Sequence, residues 1–174
     1  LPQSILPQRT MRTEDRTFHH LIILVPQTSQ TPVNLSNVDR FLTLNQYVEA
    51  TEARDKYVTI RHRNSISQKM KPFVIVSDAT LLRQSDWDHV VAIFLSMYEW
   101  QIKKYFPSDP VELFSKVLGI YLHFEGDQIP QHIQRWRTSK YALQRNNRYG
   151  DSEIINTIWS EIEKQAIVVK NRTL

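Results

Sequence analysis

The stretch Leu21–Val25 reads LIILV, five consecutive apolar residues that Pro26 ends. A run of this length without alternation is typical of a strand buried on both faces, as in a parallel sheet. The loop PQTSQTPVNL follows at 26–35, and Ser36 with Asp39 three residues later resembles a capping box that opens a helix. The apolar face of this helix is formed by Val38, Phe41 and Leu42. Strand, loop and helix in this order predict the first unit of an α/β fold.

The rest of the chain continues this alternation of strands and helices. Further strands are predicted, in chain order, at 57–62, 73–76, 90–95, 120–124 and, from a weaker pattern, 140–143. Helices are predicted from the cap Ser85 to Asp88, from the cap Asp109 with Pro110 at its first position to Gly119, and from Asp151 onward. The polar connection RNSISQKMK between the second and third strands indicates a hairpin at the sheet edge. Together these elements predict a mostly parallel sheet of about six strands with helices on both faces.

Composition limits the classes of protein to which the chain belongs. It has 174 residues, 22 basic and 18 acidic side chains, a net charge of +4 and no cysteine. Disulfides, thiol catalysis and thiolate metal sites are therefore excluded. Residues 1–17 contain two prolines and indicate a linker or tail, 18–170 one domain, and 171–174 a short tail. We expect no transmembrane helix, because no apolar run is long enough to cross a membrane. We also expect no secretory leader, because the sequence does not open with a basic segment followed by an apolar one.

Glycine is scarce, which argues against a phosphate-binding loop. The three glycines are Gly119, Gly126 and Gly150. They are too far apart to bring several backbone N–H groups onto one anion. The segment Pro26–Pro32 lies where such a loop belongs, and it contains neither glycine nor lysine. Asp78 lacks the glycine that a GTPase has three residues later, and no Asn-Lys-x-Asp motif follows the strand at 90–95. The order of elements is therefore GTPase-like, whereas guanine nucleotide binding is not expected.

No residue pattern indicates catalysis or a metal site. The six histidines show no i, i+4 pair, and His19 and His20 are neighbours that point to opposite faces of a strand. Asp86 and Asp88 are candidates for paired acid–base carboxylates, but helix capping explains both. No G-x-S-x-G elbow is present. We therefore expect no catalytic residue, no metal, no cofactor and no enzymatic activity.

Two clusters combine tryptophan with basic residues. The first, YEWQIKKYF at 98–106, contains Trp100, Lys103 and Lys104 and follows the fourth strand, at the edge where ligands of open α/β sheets bind. The second is Gln134–Arg137, which reads QRWR. Each cluster has two interpretations: a docking surface for a protein or a phosphate, or a core tryptophan flanked by solvated charges. The exposure of the Trp100 indole distinguishes the two interpretations for the first cluster.

Several stretches of the chain resemble parafibromin-type proteins. They are SDWDHVVAIF at 85–94, WQ at 100–101, PVELF at 110–114, YLHFEGD at 121–127, IPQHIQRW at 129–136 and the helix around Trp159. The resemblance covers the C-terminal domain of that family, from about Leu21 to about Gln165, and is closest to fungal members. It implies a Ras-like, three-layer α/β fold that neither binds nor hydrolyses GTP. It also implies a subunit of the Paf complex, which travels with RNA polymerase II in the nucleus.

The resemblance further implies a role for the domain. In the family, the C-terminal domain helps recruit the Paf complex to transcribed chromatin through elongation factors and phosphorylated repeat tails. The expected partners are therefore other Paf complex subunits, RNA polymerase II and elongation factors, with chromatin reached indirectly and without a membrane. The predicted partner-binding residues are Trp100, His89, Lys103, Lys104, Arg135 and Arg137. His89 stands where the family usually has arginine, and its partial charge predicts a weaker contact with phosphate at that position.

Two alternative functions stay open at this point. One is a small GTPase with a degenerate loop, which binding of a guanine nucleotide would reveal. The other is a basic nucleic-acid-binding domain on transcribed chromatin, with phosphates contacted by Arg61, Arg63, Lys69, Lys71, Arg135 and Arg137. The affinity of such a domain falls steeply with salt, because its basic side chains displace counterions from the nucleic acid.

Overall fold

The structure, a computed structural model, describes residues 20–173 of the chain. Its strands are β1 (Leu21–Leu24), β2 (Tyr57–Arg63), β3 (Met70–Val76), β4 (Val90–Leu95), β5 (Leu118–Phe124) and β6 (Ser139–Leu143). Its helices are α1 (Val38–Leu44), α2 (Pro110–Lys116), α3 (Gln131–Arg135) and α4 (Asp151–Thr173). Short 3-10 helices cover Ala79–Leu81, Gln84–His89 and Glu99–Lys104. The predicted linker 1–17 and the start of the domain at residue 18 lie outside the described residues.

The strands form one sheet in the order β2-β3-β1-β4-β5-β6. β2 and β3 pair as an antiparallel hairpin, and all the other neighbouring strands are parallel. This confirms the mostly parallel six-stranded sheet with a hairpin at its edge. Because five of the strands run in one direction, they all end at the same edge of the sheet, which we call the carboxyl edge. The loop of the hairpin lies at the opposite edge, which we call the amino edge.

Helices cover both faces of the sheet, which confirms the predicted three-layer architecture. α1 and α4 pack on one face, with Phe41 and Ile158 fully buried between helix and sheet. The opposite face is covered by α2, α3 and the 3-10 helices, with Leu113 and Ile133 in its core. Burial of each such side chain stabilises the fold by about 1.5–3 kcal/mol. β1 supplies side chains alternately to the two cores, and this accounts for its unbroken apolar run: Ile23 and Val25 on one face, Ile22 and Leu24 on the other.

Three helix starts differ in how well their sequence signals predicted them. The cap at Asp109 is confirmed, because its Oδ2 accepts a hydrogen bond from the N–H of Glu112 at 3.1 Å. The predicted start at Ser36 is wrong: α1 begins at Val38, and the Ser36 hydroxyl donates instead to Asn34 Oδ1 at 2.6 Å. The predicted cap at Ser85 is also wrong. A cap at Ser85 would make Asp86 the first helical residue, but Asp86 Oδ2 accepts from the N–H of Arg83 at 2.7 Å and the helix begins two residues earlier, at Gln84.

Gly119 does not end a helix, contrary to the prediction. It lies inside β5, because α2 stops at Lys116 and the strand follows almost at once. A Cβ on Gly119 would lie 2.8 Å from the Phe114 ring and 2.9 Å from Thr138 Cγ2, closer than side-chain packing allows. The glycine therefore lets α2 and the chain before β6 approach the sheet. Gly126, by contrast, lies in a turn and has a φ of +90°, a backbone conformation that favours glycine.

Three short elements carry no clear signal in the sequence. They are α3 and the 3-10 helices Ala79–Leu81 and Glu99–Lys104. Each has one or two turns, so hydrophobic periodicity has too few repeats to be visible. At the other extreme, α4 begins at Asp151 as predicted and continues to Thr173, so it includes residues 171–173 of the predicted tail.

Candidate docking site at the carboxyl edge

Trp100 is exposed at the carboxyl edge of the sheet. It lies on the 3-10 helix Glu99–Lys104, directly after β4, and 58% of its surface is accessible. Its ring stacks on Tyr98, with ring centroids 5.4 Å apart and an interplanar angle of 24°. Lys103 and Lys104 in the last turn of the same helix are exposed and form no ion pair within residues 20–173. The structure therefore brings together three of the six predicted partner-binding residues on one short helix.

Gln101 fixes this helix to the end of β4. Its Nε2 donates to the carbonyl oxygen of Phe94 at 3.1 Å and to Tyr105 Oη at 2.9 Å, and its Oε1 accepts from the N–H of Ser96 at 2.6 Å. Burial raises the pKa of Tyr105 to about 12, although the Gln101 hydrogen bond acts in the opposite direction. The phenol is therefore neutral at physiological pH and works as a packing group. Trp100 thus projects from a short helix that Gln101 and the buried Tyr105 hold against the end of β4.

A cleft of about 320 Å³ opens beside Trp100. It is bounded by the residues that follow three neighbouring strands: Pro26, Gln27 and Thr28 after β1, Ser77, Asp78 and Thr80 after β3, and Ser96, Trp100, Lys103 and Lys104 after β4. The Asp78 carboxylate is already engaged, since its Oδ1 accepts from the N–H of Thr80 at 2.9 Å and from its hydroxyl at 2.6 Å. The cleft therefore combines an exposed aromatic ring with two unpaired cations.

The loop between β1 and α1 is held by two buried asparagines. Asn34 Nδ2 donates to the carbonyl oxygens of Thr28, at 3.2 Å, and Thr51, at 2.8 Å. Asn37 Nδ2 donates to the carbonyl oxygens of Pro32, at 2.8 Å, and Val48, at 2.7 Å, and its Oδ1 accepts from the N–H of Asn34. Through these hydrogen bonds the two side chains fix the backbone of the loop, at the place where a phosphate loop would turn its N–H groups toward an anion. A further hydrogen bond from Tyr98 Oη to Gln30 Oε1, at 2.7 Å, ties this loop to the stacked pair.

Of the other predicted partner-binding residues, His89 and Arg137 lie at the amino edge, away from Trp100. His89 precedes β4 and Trp100 follows it; this strand of six residues spans about 20 Å. His89 is half-buried, and its Nδ1 is buried without a hydrogen-bond partner among residues 20–173. Arg135 is exposed at the end of α3, and Arg137 lies just before β6, where it lines a separate cleft at the amino edge. The six residues therefore do not form one site.

Trp136, the aromatic residue of the second cluster, is a core anchor. It is half-buried and packs against Phe114, with ring centroids 5.5 Å apart, and against His132, at 4.8 Å. Of the two interpretations for QRWR, the core tryptophan flanked by solvated arginines fits this geometry. Residues that the sequence did not single out matter more for the site: Tyr98, Gln101, Asn34 and Asn37. Tyr98 and Gln101 lie inside the quoted aromatic stretch, but no local pattern marks Asn34 and Asn37 as buried polar groups.

The described residues contain no group of three or more histidine, aspartate or glutamate side chains that could hold a metal ion. Asp86 caps a helix, as expected, and Asp88 is exposed. His62 instead pairs with Glu163, at 3.0 Å between Nε2 and Oε2. No helix between residues 20 and 173 is both long and apolar enough to cross a membrane.

Comparison with known proteins places the chain in a family. Residues 19–165 match the family described as RNA pol II accessory factor, Cdc73 family, C-terminal. Cell division control protein 73 of Saccharomyces cerevisiae is 34% identical over 151 residues, which are 84% of this chain and 38% of that protein. Protein CDC73 homolog of Arabidopsis thaliana is 28% identical over 154 residues, 82% of this chain and 37% of that protein. The chain thus spans less than two fifths of the length of these relatives.

A solved structure described as the conserved domain of yeast Cdc73 matches with a TM-score of 0.80 and 32% identity. The match covers 86% of this chain and 98% of that domain. This agreement confirms both the Ras-like fold and the resemblance to parafibromin-type proteins. The chain therefore belongs to the Cdc73 family of RNA polymerase II accessory factors, of which it contains the C-terminal domain.

Proposed function

We propose that this domain is a non-enzymatic protein-interaction module of a nuclear transcription elongation complex. It helps to recruit the Paf complex to RNA polymerase II and transcribed chromatin by binding elongation factors or their phosphorylated tails. Membership of a family of RNA polymerase II accessory factors supports a role in transcription by that polymerase. The observation that carries the binding role is the exposure of Trp100 above a cleft flanked by Lys103 and Lys104.

The chemistry of this cleft fits a phosphorylated tail that contains proline. Stacked aromatic rings such as Tyr98 and Trp100 form the kind of flat surface on which extended, proline-rich peptides dock. Lys103 and Lys104 provide two cations within reach of the same surface, and lysine is a point-charge partner for phosphate. An exposed tryptophan is also a common centre of binding energy in protein interfaces. His89 and Arg137 would contact other parts of the assembly, since they lie at the amino edge.

Removal of the Trp100 ring tests this proposal. The binding of a serine-phosphorylated repeat peptide from an elongation-factor tail is measured by fluorescence anisotropy. We expect Trp100→Ala to weaken it by at least about tenfold, as for a hot-spot tryptophan. Tyr149→Ala is the matched control, because Tyr149 is an aromatic residue that is 94% exposed and lies outside the cleft. Equal affinities for the two variants would refute the assignment of the site.

Reversal of the lysine charges tests the preference for phosphate. We expect Lys103→Glu with Lys104→Glu to reduce binding of the phosphorylated peptide more than binding of its unphosphorylated form, because only the first carries the phosphate charge. Lys164→Glu on α4, where the lysine is also exposed, is the control. A loss that is the same for both peptides would show that the lysines do not contact phosphate.

The two alternative functions fit the structure less well. For a GTPase, titration with a fluorescent guanine nucleotide and Mg²⁺ is the direct test, and we expect no saturable binding because the segment Pro26–Pro32 contains neither glycine nor lysine. For nucleic acid, the six basic residues would have to act together. The hairpin that carries Arg61 and Lys71 lies at the first two strands of the sheet, whereas Arg137 adjoins the last, roughly 20 Å away at about 4.8 Å per strand.

A further inference from the structure

The hairpin β2–β3 carries a concentration of positive charge that the proposed function does not use. Residues 56–77 contain five lysines and arginines and no aspartate or glutamate: Lys56, Arg61, Arg63, Lys69 and Lys71. None of the five forms an ion pair within residues 20–173. Arg63 Nη1 donates to the carbonyl oxygen of Gln68, at 2.8 Å, which holds the loop but leaves the charge uncompensated. The hairpin therefore presents an uncompensated positive surface.

One side of β2 is also open for backbone pairing. β2 is the first strand of the sheet and pairs only with β3. Beyond that ladder, no backbone hydrogen bond reaches residues 58–63 within the described part of the chain. Every second N–H and C=O of a strand points away from its partner, so this segment presents a row of backbone donors and acceptors to solvent. An extended peptide can add to such an edge as a further strand.

The two faces of β2 differ in chemistry. Thr59, Arg61 and Arg63 lie on one face and are all exposed. Val58 and Ile60 lie on the opposite face and belong to the core under α1 and α4. On that same face, Leu44 at the end of α1 remains 64% exposed. A strand added here would meet cations on one face and an apolar margin on the other, which favours alternation of acidic and apolar residues.

Positive charge on an edge strand normally prevents pairing with another copy of the same strand. The five cations therefore disfavour pairing between two copies of this edge, because two such edges repel each other. An acidic strand is the one kind of extended segment that the same charges attract. Nucleic acid is less favoured, because single strands stack on exposed aromatic rings. The exposed large apolar side chains of this hairpin are Ile66 and Met70, neither of which is aromatic.

We propose that the free edge of β2 binds an acidic, extended segment of a partner protein by strand addition. Arg61 and Arg63 select the acidic side chains, and the backbone of residues 58–63 supplies the hydrogen bonds. The site is separate from the Trp100 cleft, since the hairpin lies at the end of the sheet beyond β3 and its loop is at the amino edge. It does not depend on the function proposed for that cleft.

The first test uses the peptide acetyl-Glu-Val-Glu-Val-Glu-Val-Glu-amide and the full 174-residue chain. In ¹⁵N-labelled protein, we expect the largest amide chemical-shift changes at residues 58–63. We expect Arg61→Glu with Arg63→Glu to weaken binding at least about tenfold through charge reversal. Lys164→Glu with Arg172→Glu, two exposed cations on α4, is the matched control and should leave binding within about threefold of wild type. Shift changes centred on residues 98–104 instead would overturn the proposal.

The second test separates strand addition from simple attraction of charge. One peptide is N-methylated at its valines and another at its glutamates, so that each lacks the N–H groups along one edge of the strand. Strand addition predicts that one of the two loses binding by at least about tenfold while the other keeps it, since only one edge pairs with β2. Equal binding of both peptides would refute the proposal. Tighter binding of an oligothymidylate with the same charge, at about 150 mM salt, would assign the surface to nucleic acid instead.

Discussion

Trp100 and Trp159 both stack on a neighbouring ring, but Trp159 lies in the core of the domain and Trp100 lies on its surface. Trp159 is 5% exposed. It stacks on His62, with ring centroids 3.7 Å apart, meets Phe73 at 5.3 Å, and donates from Nε1 to the carbonyl oxygen of Leu42 at 2.9 Å. These contacts join α4 to β2, β3 and α1. Trp100, by contrast, stacks on a residue only two positions away and leaves more than half of its surface accessible.

The difference lies in where the partners come from. A tryptophan whose contacts come from distant parts of the chain links elements of the fold, and its loss removes packing from all of them. A tryptophan held by local contacts has an open face, and its loss removes surface for a partner. The four predictions below test this distinction, in order of the expected change in stability.

Trp159→Ala should have the largest effect on stability. It empties a site between α4 and two strands and leaves the Leu42 carbonyl without its donor, so we expect a loss of about 3–5 kcal/mol. Urea denaturation monitored by circular dichroism measures it. Ile167→Ala on the same helix is the control, because Ile167 is 58% exposed and should change stability by less than about 1 kcal/mol. A loss below that limit for Trp159→Ala would contradict its structural role.

Glu163→Gln should have the next largest effect. The carboxylate of Glu163 accepts from the N–H of Ser65 at 2.9 Å, from its hydroxyl at 2.6 Å, and from His62 at 3.0 Å. Burial raises the pKa of Glu163, but these groups outweigh it, and the net pKa lies below its ordinary 4.5. We expect a loss of about 1–3 kcal/mol at neutral pH from urea denaturation.

The pH dependence of this loss follows from the sign of the pKa shift. A group whose pKa is lowered on folding stabilises the protein above its unfolded pKa, and this contribution disappears as pH falls through the folded pKa. The difference between wild type and Glu163→Gln should therefore shrink below pH 4.5. Glu153→Gln, an exposed position on the same helix, should show little difference at any pH. A difference for Glu163→Gln that is constant down to acid would contradict the role of its charge.

Trp136 is half-buried and so lies between the exposed Trp100 and the buried Trp159. His132 packs edge to face against it, and a change of His132 tests this region. Burial lowers the pKa of His132, with Glu99 acting to raise it and Arg135 to lower it. Because the unfolded chain takes up the proton first, wild-type stability should fall as pH drops through 6.5 toward the folded pKa. His132→Gln should flatten this slope when the free energy of unfolding is measured between neutral pH and about pH 5. Identical slopes for wild type and His132→Gln would show that protonation of the buried imidazole does not control the pH dependence of stability.

Trp100→Ala should have the smallest effect on stability. Removal of a ring that is 58% exposed should change the free energy of unfolding by less than about 1 kcal/mol. Thermal and urea denaturation of the variant, compared with Tyr149→Ala, measure the change. A loss as large as that of Trp159→Ala would show that Trp100 supports the fold, and the contrast between the two tryptophans would fail.

The elements that carry periodic or continuous apolar patterns could be predicted from the sequence. β4 and the start of α4 were predicted to the residue, because one is wholly buried and the other shows many turns of one-face spacing. Short polar signals were less informative. Ser36 and Ser85 look like caps, but the Ser36 hydroxyl donates to the buried Asn34, and the buried Asp86 accepts from the N–H of Arg83, so both helices begin elsewhere. Gly119 was misassigned as a helix end, because glycine is required at this position by a close contact with the Phe114 ring and not by a turn.

The candidate site could be predicted only in part, for a similar reason. Trp100, Lys103 and Lys104 are close in sequence, and the structure places them on one short helix. Arg137 belongs to the second cluster, and its position just before β6 puts it at the opposite edge of the sheet. The hydrogen bonds of Gln101, Asn34 and Asn37 depend on which backbone groups meet in three dimensions, and no spacing in the sequence encodes that.

The two asparagines beneath the β1–α1 loop have a consequence for regulation. A bound molecule can switch a protein only by favouring one of two arrangements over the other. Here the loop is already ordered by the domain's own amide groups, so nothing has to bind before the neighbouring surface takes its shape. If the carboxyl edge docks phosphorylated tails as proposed, the timing of that contact is set by the kinase and phosphatase that act on the tail. The domain would then be competent to bind at all times, and phosphorylation of its partner would decide when binding occurs.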